Sequence, residues 1–324
     1  MESISSKIIA QEAENMWYTV NIIFDDSDIF TVKKNWQKRL FKNIDCWANN
    51  SLWVKFANYK SLTYLMLWKH WIKIPKSIIA KKWEQKKKIM RSIQEIWLSF
   101  PLVVKPSKWA HWDWVSVNIT NEKDLNKAID RALKFYHHIV IQEFLVGEDH
   151  RLIVIDYKFV AAMKRIPAHI IGNGIQSIQD LITQENKNPL RGKWHSSSLT
   201  KIKIDKELKS YLSNQWFTLE SIPGKNKMIS IRKNANLSTW WISMDITDDI
   251  HPEIIKMVEK ASKILWLKIC WIDYLSNNIN KPLSYQKWWI IEVNHTPWLR
   301  WHHFPTIGKP RNVAKAILQL AFKK

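Results

Sequence analysis

Glycine is scarce in this sequence. The 324 residues include 6 glycines, whereas a protein of this length with average composition would carry roughly 23. Because glycine adopts positive φ without steric cost, so few glycines leave most tight turns and phosphate-binding loops without their usual residue. Tryptophan is correspondingly abundant, with 21 copies. The two counts together come close to an ordinary glycine content, so we expect many tryptophans to occupy positions where the fold requires glycine.

The surroundings of individual tryptophans support this expectation. Trp36 follows Asn35 between two strand-like runs, where a tight hairpin favours Asn-Gly with positive φ. The pairs Trp240-Trp241 and Trp288-Trp289 lie in polar stretches without an apolar periodicity that would bury them. Our hypothesis is that the gene decodes UGA as glycine and that these codons appear here as tryptophan, with Trp83 as the best candidate for a genuine one. The alternative is a truly tryptophan-rich protein with aromatic stacking platforms.

Cysteine, acidic residues and long apolar runs are also in short supply. Cys46 and Cys270 leave room for one bridge but make neither a disulfide framework nor a cysteine zinc site. Without a signal-peptide pattern or about 20 consecutive apolar residues, we expect a soluble cytoplasmic protein with no membrane partner.

Lys+Arg number 50 against 29 Asp+Glu, and the net charge of +21 favours nucleotides, nucleic acid or acidic peptides as partners. An AT-rich gene, which enriches lysine, asparagine and isoleucine, is the alternative source of this charge.

Hydrophobic periodicity predicts an α+β protein. After Phe100, short β-type runs surround one amphipathic helix with apolar positions from Leu125 to Leu133, a pattern typical of a largely antiparallel sheet. Residues 172–200 are polar and turn-rich and are predicted to form a long loop, and a helix is expected to begin near Pro252. The elements predicted before residue 100 are a helix at 4–16, a strand at 18–24, a hairpin at 30–41, a helix at 59–70 and an exposed helix face at 81–91.

A first candidate site follows the strand-like run Val103-Val104-Lys105-Pro106. The ammonium group of Lys105 supplies charge for a phosphate, and the N–H groups of the next loop can cradle its oxygens. If Trp109, Trp112 and Trp114 are glycines, that loop reads G-A-H-G-D-G; as written it is too bulky for close approach. A plain surface hairpin explains the motif on its own equally well.

A second candidate site lies in IQEFLVGEDHR. An extended run ends at Gln142-Glu143, and Asp149 and Arg151 follow just beyond Gly147. Such a hinge could pair its backbone with the edge of an adenine and offer a carboxylate to ribose hydroxyls. An ordinary turn with a solvated ion pair is the simpler interpretation of this segment alone.

A third candidate site comprises the acidic residues of two apolar, strand-like runs. Asp273 lies in WIDYL, and Glu292 and Asn294 lie at alternate positions of IIEVN, on the same face of their strand. These oxygen ligands suit Mg²⁺ shared with phosphates. Buried acids are costly unless they bind a metal or a cation, so the motif favours metal ligands over a structural salt bridge.

The three motifs, in this order, resemble the ATP-grasp superfamily, and the likeness is greatest to the ATP-grasp part of cyanophycin synthetase. The ligase half of bifunctional glutathione synthetases is similar as well. Further segments that carry the resemblance are NPLRGKWH, NQWFTLESIP, RKNANLSTWW and EVNHTPWLRWHHFPTIGKPRNVAKAIL. The tryptophans that fall where these families carry glycine are Trp109, Trp112, Trp114, Trp194, Trp216, Trp240, Trp241, Trp271 and Trp298.

The resemblance implies an α+β ATP-grasp fold in which two α+β subdomains clamp ATP. The implied domains are a small α/β segment at 1–60 and an ATP-grasp domain at 61–324, with a nucleotide-binding subdomain at about 100–200 and a metal-binding one at about 201–324. The residues implied around ATP are Lys105, the loop residues Trp109, His111, Trp112 and Trp114, the adenine-lining Glu143, Phe144 and Leu145, Asp149 near the ribose, and Arg165 in the cover of the site.

The resemblance also implies a metal set and an acceptor set. Asp273, Glu292 and Asn294 would hold two Mg²⁺ ions, or Mn²⁺ in their place. Residues implied to bind the acceptor carboxylate or the charge that develops on it are Arg232, Asn236 and Arg300, with Ser238 and Thr239.

The implied activity is ATP-dependent ligation of an amine to a carboxylate through an acyl phosphate. The expected substrates are ATP and amino acids or peptides, and the chain is expected to form homo-oligomers. Cyanophycin synthetase carries a further Mur-ligase-like domain that does not occur in this sequence, so we expect either a smaller peptide-like product or a separate partner that carries such a domain. The alternatives are a glutathione-type ligase, a nucleotide-binding protein without turnover, and a basic nucleic-acid-binding module, which the acidic strands disfavour.

Overall fold

The computed structural model describes residues 1–108, 115–188, 191–192, 199–231 and 242–323. Within them, strands form antiparallel sheets of five, four, three and two strands and one parallel pair. The helices are α1 (Ile4–Asn15), α2 (Ser51–Ala57), α3 (Lys60–Lys69), α4 (Lys86–Glu95), α5 (Glu122–Phe135), α6 (Ile178–Glu185), α7 (Lys206–Ser213), α8 (Pro252–Ile264), α9 (Arg300–His303) and α10 (Val313–Ala321).

The strands of the same residues follow in chain order. They are β1 (Thr19–Phe24), β2 (Ile29–Lys34), β3 (Gln37–Lys42), β4 (Ser77–Lys81), β5 (Leu102–Pro106), β6 (Ser116–Ile119), β7 (His138–Glu143), β8 (Glu148–Ile155), β9 (Lys158–Ile166), β10 (His169–Ile171), β11 (Arg191–Gly192), β12 (Leu199–Thr200), β13 (Met228–Ser230), β14 (Ile242–Asp245), β15 (Ile269–Ser276) and β16 (Trp288–Asn294).

The first 42 residues form α1 and a three-stranded meander, β1-β2-β3. Ser3 caps α1 by accepting a hydrogen bond from the N–H of Ser5, and β2 and β3 join through the two-residue turn predicted at Asn35-Trp36. Only Asn35 has positive φ there, so the turn differs from the Asn-Gly type expected from the sequence. The unit buries its apolar side against α10 and the five-stranded sheet in one continuous core. Its proposed boundary at residue 60 stays a prediction.

The four-stranded sheet has the order β4-β7-β5-β6. The predicted amphipathic helix is α5, which buries Leu125, Ala128 and Ile129 against this sheet, together with side chains of α4. Asn121 caps α5 by accepting a hydrogen bond from the N–H of Asp124. The alternating and helical periodicities of this stretch are therefore both correct predictions.

The five-stranded sheet has the order β14-β9-β8-β15-β16, and all its strands are antiparallel to their neighbours. One face packs against α8, which starts at Pro252 as predicted. Directly paired residues of neighbouring strands share a face of the sheet. Asp273 therefore lies beside both Arg151 and Glu292, on the face opposite to α8. The sheet register thus gathers the charged residues of three strands on one surface.

The prediction of a long loop at 172–200 is wrong for part of that range. Residues Ile178–Glu185 form α6, whose Ile178, Leu181 and Ile182 are buried. Ser177 caps the helix by accepting a hydrogen bond from the N–H of Asp180. These three apolar residues have helical spacing, but they are too few to stand out among their polar neighbours in the sequence.

No helix in the described part of the chain is long and apolar enough to cross a membrane.

Candidate functional site

Lys105 lies on β5, at the place where the four-stranded sheet faces the edge of the five-stranded one. Its Nζ donates a hydrogen bond of 3.1 Å to Tyr64 Oη, and only 7% of the residue is exposed. Burial lowers the pKa of Lys105 to about 7; repulsion from Lys60 adds to this, and the carboxylates of Glu292 and Asp273 oppose it. A buried ammonium that is close to losing its proton gains from the arrival of a polyanion.

Tyr64, on α3, connects the two sheets. Its hydroxyl donates to the carbonyl oxygen of Ile291 at 2.6 Å, and the same hydroxyl oxygen lies 3.2 Å from Oε1 of Gln142. Burial and the nearby carboxylates of Glu292 and Asp273 raise its pKa well above the usual value, so the hydroxyl keeps its proton. Tyr64 therefore fixes the position of Lys105 relative to β16.

Lys60, at the start of α3, holds the carboxylate of Glu292. Its Nζ lies 2.8 Å from Glu292 Oε1, and the two side chains are 11% and 12% exposed. The backbone N–H of Lys60 donates to the carbonyl of Ser107, which ties the helix to the end of β5. Two lysines and one carboxylate thus meet where the chain leaves the Lys105 strand.

Asp273, on β15, is held by two guanidinium groups. Its oxygens accept hydrogen bonds from Arg151 Nε at 2.8 Å, Arg151 Nη2 at 3.1 Å and Arg165 Nη2 at 3.3 Å. Arg165 Nη2 also donates to Asp149 Oδ1 at 2.6 Å. Burial alone would raise the pKa of Asp273, but the two guanidiniums hold it below its usual value. The carboxylates Asp149 and Asp273 therefore share Arg165, and both are engaged within the protein.

The three predicted metal ligands lie on one face of paired strands. Asp273 pairs with Glu292, and Asn294 pairs with Trp271 two positions along. Among the described residues, no cluster of three or more His, Cys, Asp or Glu side chains has the geometry of a metal centre. The set still suits Mg²⁺ by donor chemistry, because it offers two carboxylates and an amide oxygen on one face. Glu292 and Asn294 are the more accessible ligands, since both oxygens of Asp273 accept from arginine.

The predicted adenine-lining residues form the link between the two sheets. Glu143, Phe144 and Leu145 are half-buried and connect β7 to β8. The Glu143 carboxylate accepts a hydrogen bond of 2.8 Å from the backbone N–H of Lys76, and the N–H of Phe144 donates to Pro101. These bonds fix the hinge and engage the Glu143 carboxylate within the protein, and the adenine-lining role of this segment stays a prediction.

Arg300 begins α9, close to the end of β16. Its Nη2 is buried and has no hydrogen-bond partner among the described residues, as is also true of Arg165 Nε and His302 Nε2. Burial, followed by the positive charges of Arg151 and His303, lowers the pKa of His302 to about 3, so its imidazole is neutral. The unpaired guanidinium N–H groups of Arg165 and Arg300 favour binding of an anion.

Several predicted site residues lie outside the described part of the chain. They are Trp109, His111, Trp112, Trp114, Arg232 and Asn236, with Ser238 and Thr239. Their assignments stay predictions.

Sequence reasoning missed Lys60, Tyr64 and Gln142. Lys60 and Tyr64 are four residues apart, so they share a face of the predicted helix at 59–70. A basic and an aromatic polar residue on one helix face was the available signal. Their partners Glu292 and Ile291 are more than 220 residues away in sequence, however, so only the fold reveals the contact.

Two β-sheets, each packed against helices, face each other across Lys60 and Lys105. This arrangement is the ATP-grasp fold. The chain superposes on a bifunctional glutathione synthetase from Pasteurella multocida with a TM-score of 0.77 and 23% identity, over 99% of this chain and 44% of that one. A D-alanine–D-alanine ligase from Bacillus anthracis superposes with a TM-score of 0.50 and 13% identity, over 85% of this chain and 69% of that one.

Sequence similarity identifies the family within this fold. Residues 57–170 match the RimK-like ATP-grasp domain. The chain is 38% identical to cyanophycin synthetase from Trichormus variabilis over 223 residues, which cover 69% of this chain and 25% of that protein. It is 36% identical to the glutathione biosynthesis bifunctional protein of Clostridium perfringens over 202 residues, 62% of this chain and 26% of that one. The chain therefore contains an ATP-grasp domain of the RimK-like family, and it spans about a quarter of the length of these curated relatives.

Proposed function

We propose that the chain is an ATP-dependent ligase that joins an amine to a carboxylate through an acyl phosphate. The observation that carries this proposal is a pair of lysines, the buried Lys105 and the partly buried Lys60, placed beside Glu292 between two facing sheets. Two cations and one carboxylate, shielded from water, suit a site for a triphosphate and the positive charge that accompanies it.

Each residue of this cluster has a distinct role in the proposal. Lys105 binds phosphate oxygens, with its position set by Tyr64 Oη. Lys60 exchanges its contact with Glu292 for a phosphate contact when ATP enters, which frees the carboxylate. Glu143, Phe144 and Leu145 line the adenine, and Asp149, whose carboxylate accepts a hydrogen bond from Arg165, is the proposed ribose partner.

The freed carboxylate of Glu292, together with Asn294 and Asp273, would hold two Mg²⁺ ions, or Mn²⁺ in their place. When bound, such ions neutralise phosphate charge and polarise the transferred phosphoryl group. Arg151 and Arg165 keep Asp273 ionised and oriented meanwhile, because both donate to it.

The proposed reaction needs no covalent nucleophile from the protein. The substrate carboxylate attacks the γ-phosphorus of ATP, giving an acyl phosphate and ADP; the amine then attacks the acyl carbon and phosphate leaves. The protein's contribution is alignment and charge neutralisation in a site closed to water. Arg300, with an unpaired buried Nη2, is the proposed partner of the substrate carboxylate, together with Arg232 and Asn236.

The substrates are proposed from the relatives. As in cyanophycin synthetase, an amino acid such as aspartate would be joined to a peptide carboxylate, with a separate Mur-ligase-like partner as a further proposal. Similarity to glutathione biosynthesis proteins in sequence and in fold supports a second candidate, ligation of glycine to a γ-glutamyl dipeptide. Homo-oligomers and a cytoplasmic location also remain proposals.

The direct test is amino-acid-dependent release of ADP and phosphate, with peptide and dipeptide acceptors compared. We expect Glu292→Gln to abolish the release, because the amide cannot supply the ligand charge. Asp130→Asn, which removes an exposed ion pair with Lys86 far from the site, is the matched control and should keep full activity. Unchanged turnover in Glu292→Gln would contradict the assignment of this carboxylate.

Each enzyme is assayed as written and with glycine at 109, 112 and 114, so that a blocked loop is not mistaken for a missing activity.

A further inference from the structure

Six tryptophans have a backbone conformation that bulky residues avoid. Thirteen described residues other than glycine have positive φ; six of these are Asn or Asp, which tolerate it, and one is Tyr157. The remaining six are tryptophans: Trp17 (61°), Trp47 (65°), Trp71 (64°), Trp97 (54°), Trp216 (61°) and Trp266 (51°). In the left-handed region the Cβ atom crowds the following carbonyl, so tryptophan is strained where glycine is not.

Five of these tryptophans occupy the same position in the same motif. At the end of α3, the N–H of Trp71 donates to the carbonyl of Trp68, and the N–H of Ile72 donates to that of Leu67. This pair of bonds defines the Schellman motif, in which a left-handed residue, usually glycine, stops the helix. The same two bonds end α1, α4, α7 and α8, with Trp17, Trp97, Trp216 and Trp266 in the left-handed position.

The indole rings at these positions gain little from burial. Trp17, Trp71, Trp97 and Trp216 are 96%, 92%, 85% and 95% exposed. The residue after each of the five is generally the one that enters the core; Ile72, Leu98 and Leu267 are buried, for example. In these four motifs the tryptophan contributes its backbone and its side chain lies in water, where large apolar groups are unfavourable. Trp266 is 60% exposed, and its ring stacks on Trp53.

Other tryptophans behave differently. Trp271 and Trp288 lie in strands and are buried, with the Arg151 guanidinium 3.5 Å from the Trp271 ring centroid and Tyr274 stacked on Trp288. The expectation that Trp288 lacks apolar surroundings is therefore wrong, because β16 turns this side chain into the core of the five-stranded sheet. The left-handed, exposed set is the part of the tryptophan content that the fold singles out.

We infer that Trp17, Trp47, Trp71, Trp97, Trp216 and Trp266 are glycines in the protein as its own cell makes it. The gene then decodes one codon, UGA, as glycine, and the sequence as written shows tryptophan at that codon. The same decoding supplies glycine to Trp109, Trp112 and Trp114, and gives the segment after Lys105 the composition of a phosphate-binding loop. The inference concerns residue identity and does not depend on the proposed ligase activity.

Peptide mass spectrometry of the protein from its native cells is the decisive experiment. Peptides that contain positions 17, 47, 71, 97, 216 and 266 are expected to have the mass of the glycine form at each of them. Tryptophan at these positions would overturn the inference. The codons of the gene provide the second measurement, with UGA expected at all six and UGG contradicting the proposal.

A stability comparison within α3 tests the physical argument separately. Trp71→Gly should raise the thermal midpoint of the chain as written, since it relieves a left-handed tryptophan that is 92% exposed. Trp68→Gly, at a 65% exposed position inside the same helix, is the matched control and should lower the midpoint, because glycine weakens a helix interior. The variant with glycine at positions 17, 71, 97, 216 and 266 is expected to have a thermal midpoint about 5 °C above that of the chain as written. A lower midpoint in Trp71→Gly would contradict the strain argument.

Discussion

The two charged clusters of the site satisfy their carboxylates in different ways. On the arginine side, Asp273 accepts three hydrogen bonds from Arg151 and Arg165, and Arg165 also holds Asp149. On the lysine side, within the described part of the chain, Glu292 has one ion pair, with Lys60, and Lys105 has one hydrogen-bond partner, the hydroxyl of Tyr64. The first cluster pairs two guanidiniums with two carboxylates, whereas the second has two lysines for one carboxylate.

The difference separates scaffold from binding surface. Planar guanidiniums meet a carboxylate with several bonds at once, which fixes the sheet register around Asp273. A lysine ammonium is a flexible point charge that exchanges partners readily, and burial already lowers the pKa of Lys105 to about 7. The lysine side is therefore where we place the incoming triphosphate, while the arginine side keeps the acids ionised and in position.

The largest expected effect is on stability and comes from the arginine side. Arg151→Met should lower the free energy of unfolding by about 3 kcal/mol, because Asp273 stays buried with only Arg165 to compensate it. Urea unfolding measures the change. Lys127→Met, which removes an exposed pair with Asp124, should have no measurable effect. A similarly small effect for Arg151→Met would mean that the arginine side is not the scaffold.

The next effect is a proton linked to nucleotide binding. Because the pKa of Lys105 is about 7, the free protein holds this lysine mostly neutral at pH 8, and phosphate oxygens favour its charged form. ATP binding at pH 8 should therefore take up about one proton, and the uptake should vanish below pH 6, where Lys105 is already charged. Calorimetry in buffers of different ionisation enthalpy measures it. Lys105→Met should bind without this uptake; uptake that persists in the variant would assign the proton to another group.

The linkage has a matching consequence for folding. In the unfolded chain, Lys105 stays protonated up to about pH 10. In the folded chain it stays protonated only up to about pH 7. Between these values the unfolded state binds more protons, so the destabilising contribution of Lys105 is present in full below pH 7 and fades as the pH rises. The stability difference between the unmodified chain and Lys105→Met should therefore shift in favour of the unmodified chain from pH 7 to pH 9. A constant difference would place the Lys105 ammonium in a solvated environment.

The smallest effect is expected from the hydroxyl that joins the sheets. Tyr64→Phe removes bonds to Ile291, Gln142 and Lys105 and should cost about 1 kcal/mol of folding free energy. It should also raise KM for ATP more than it lowers kcat, since Tyr64 positions a phosphate ligand and does not react. Tyr285→Phe, at an 80% exposed position, is the control and should match the unmodified chain in both assays.

The sequence predicted the elements of this fold better than their contacts. The helix at 59–70 and the helix around Leu125 were foreseen, because their apolar residues recur at helical spacing. Glu292 and Asn294 were also placed correctly on one face of their strand, since alternate residues of a strand share one side. The short helix α6 was missed because only three apolar residues mark it.

The partners of the site residues were beyond sequence reasoning. Asp273 was expected to bind metal, and nothing in its own strand shows that Arg151 and Arg165 would reach it from two other strands. Lys60 and Glu292 are similarly distant in the chain and meet only because α3 lies against β16. Pairings of this kind depend on sheet order, which single-sequence patterns do not determine.

The central claim is that the lysine side binds the triphosphate. The most direct measurement is the affinity for ATP, by titration calorimetry with Mg²⁺, of the full chain with glycine at 109, 112 and 114 and of the same chain carrying Lys60→Met and Lys105→Met. Loss of two buried charge-assisted contacts should weaken binding by about 100-fold or more, while circular dichroism shows an intact fold. Equal affinity in the two proteins would contradict the account and place the nucleotide elsewhere.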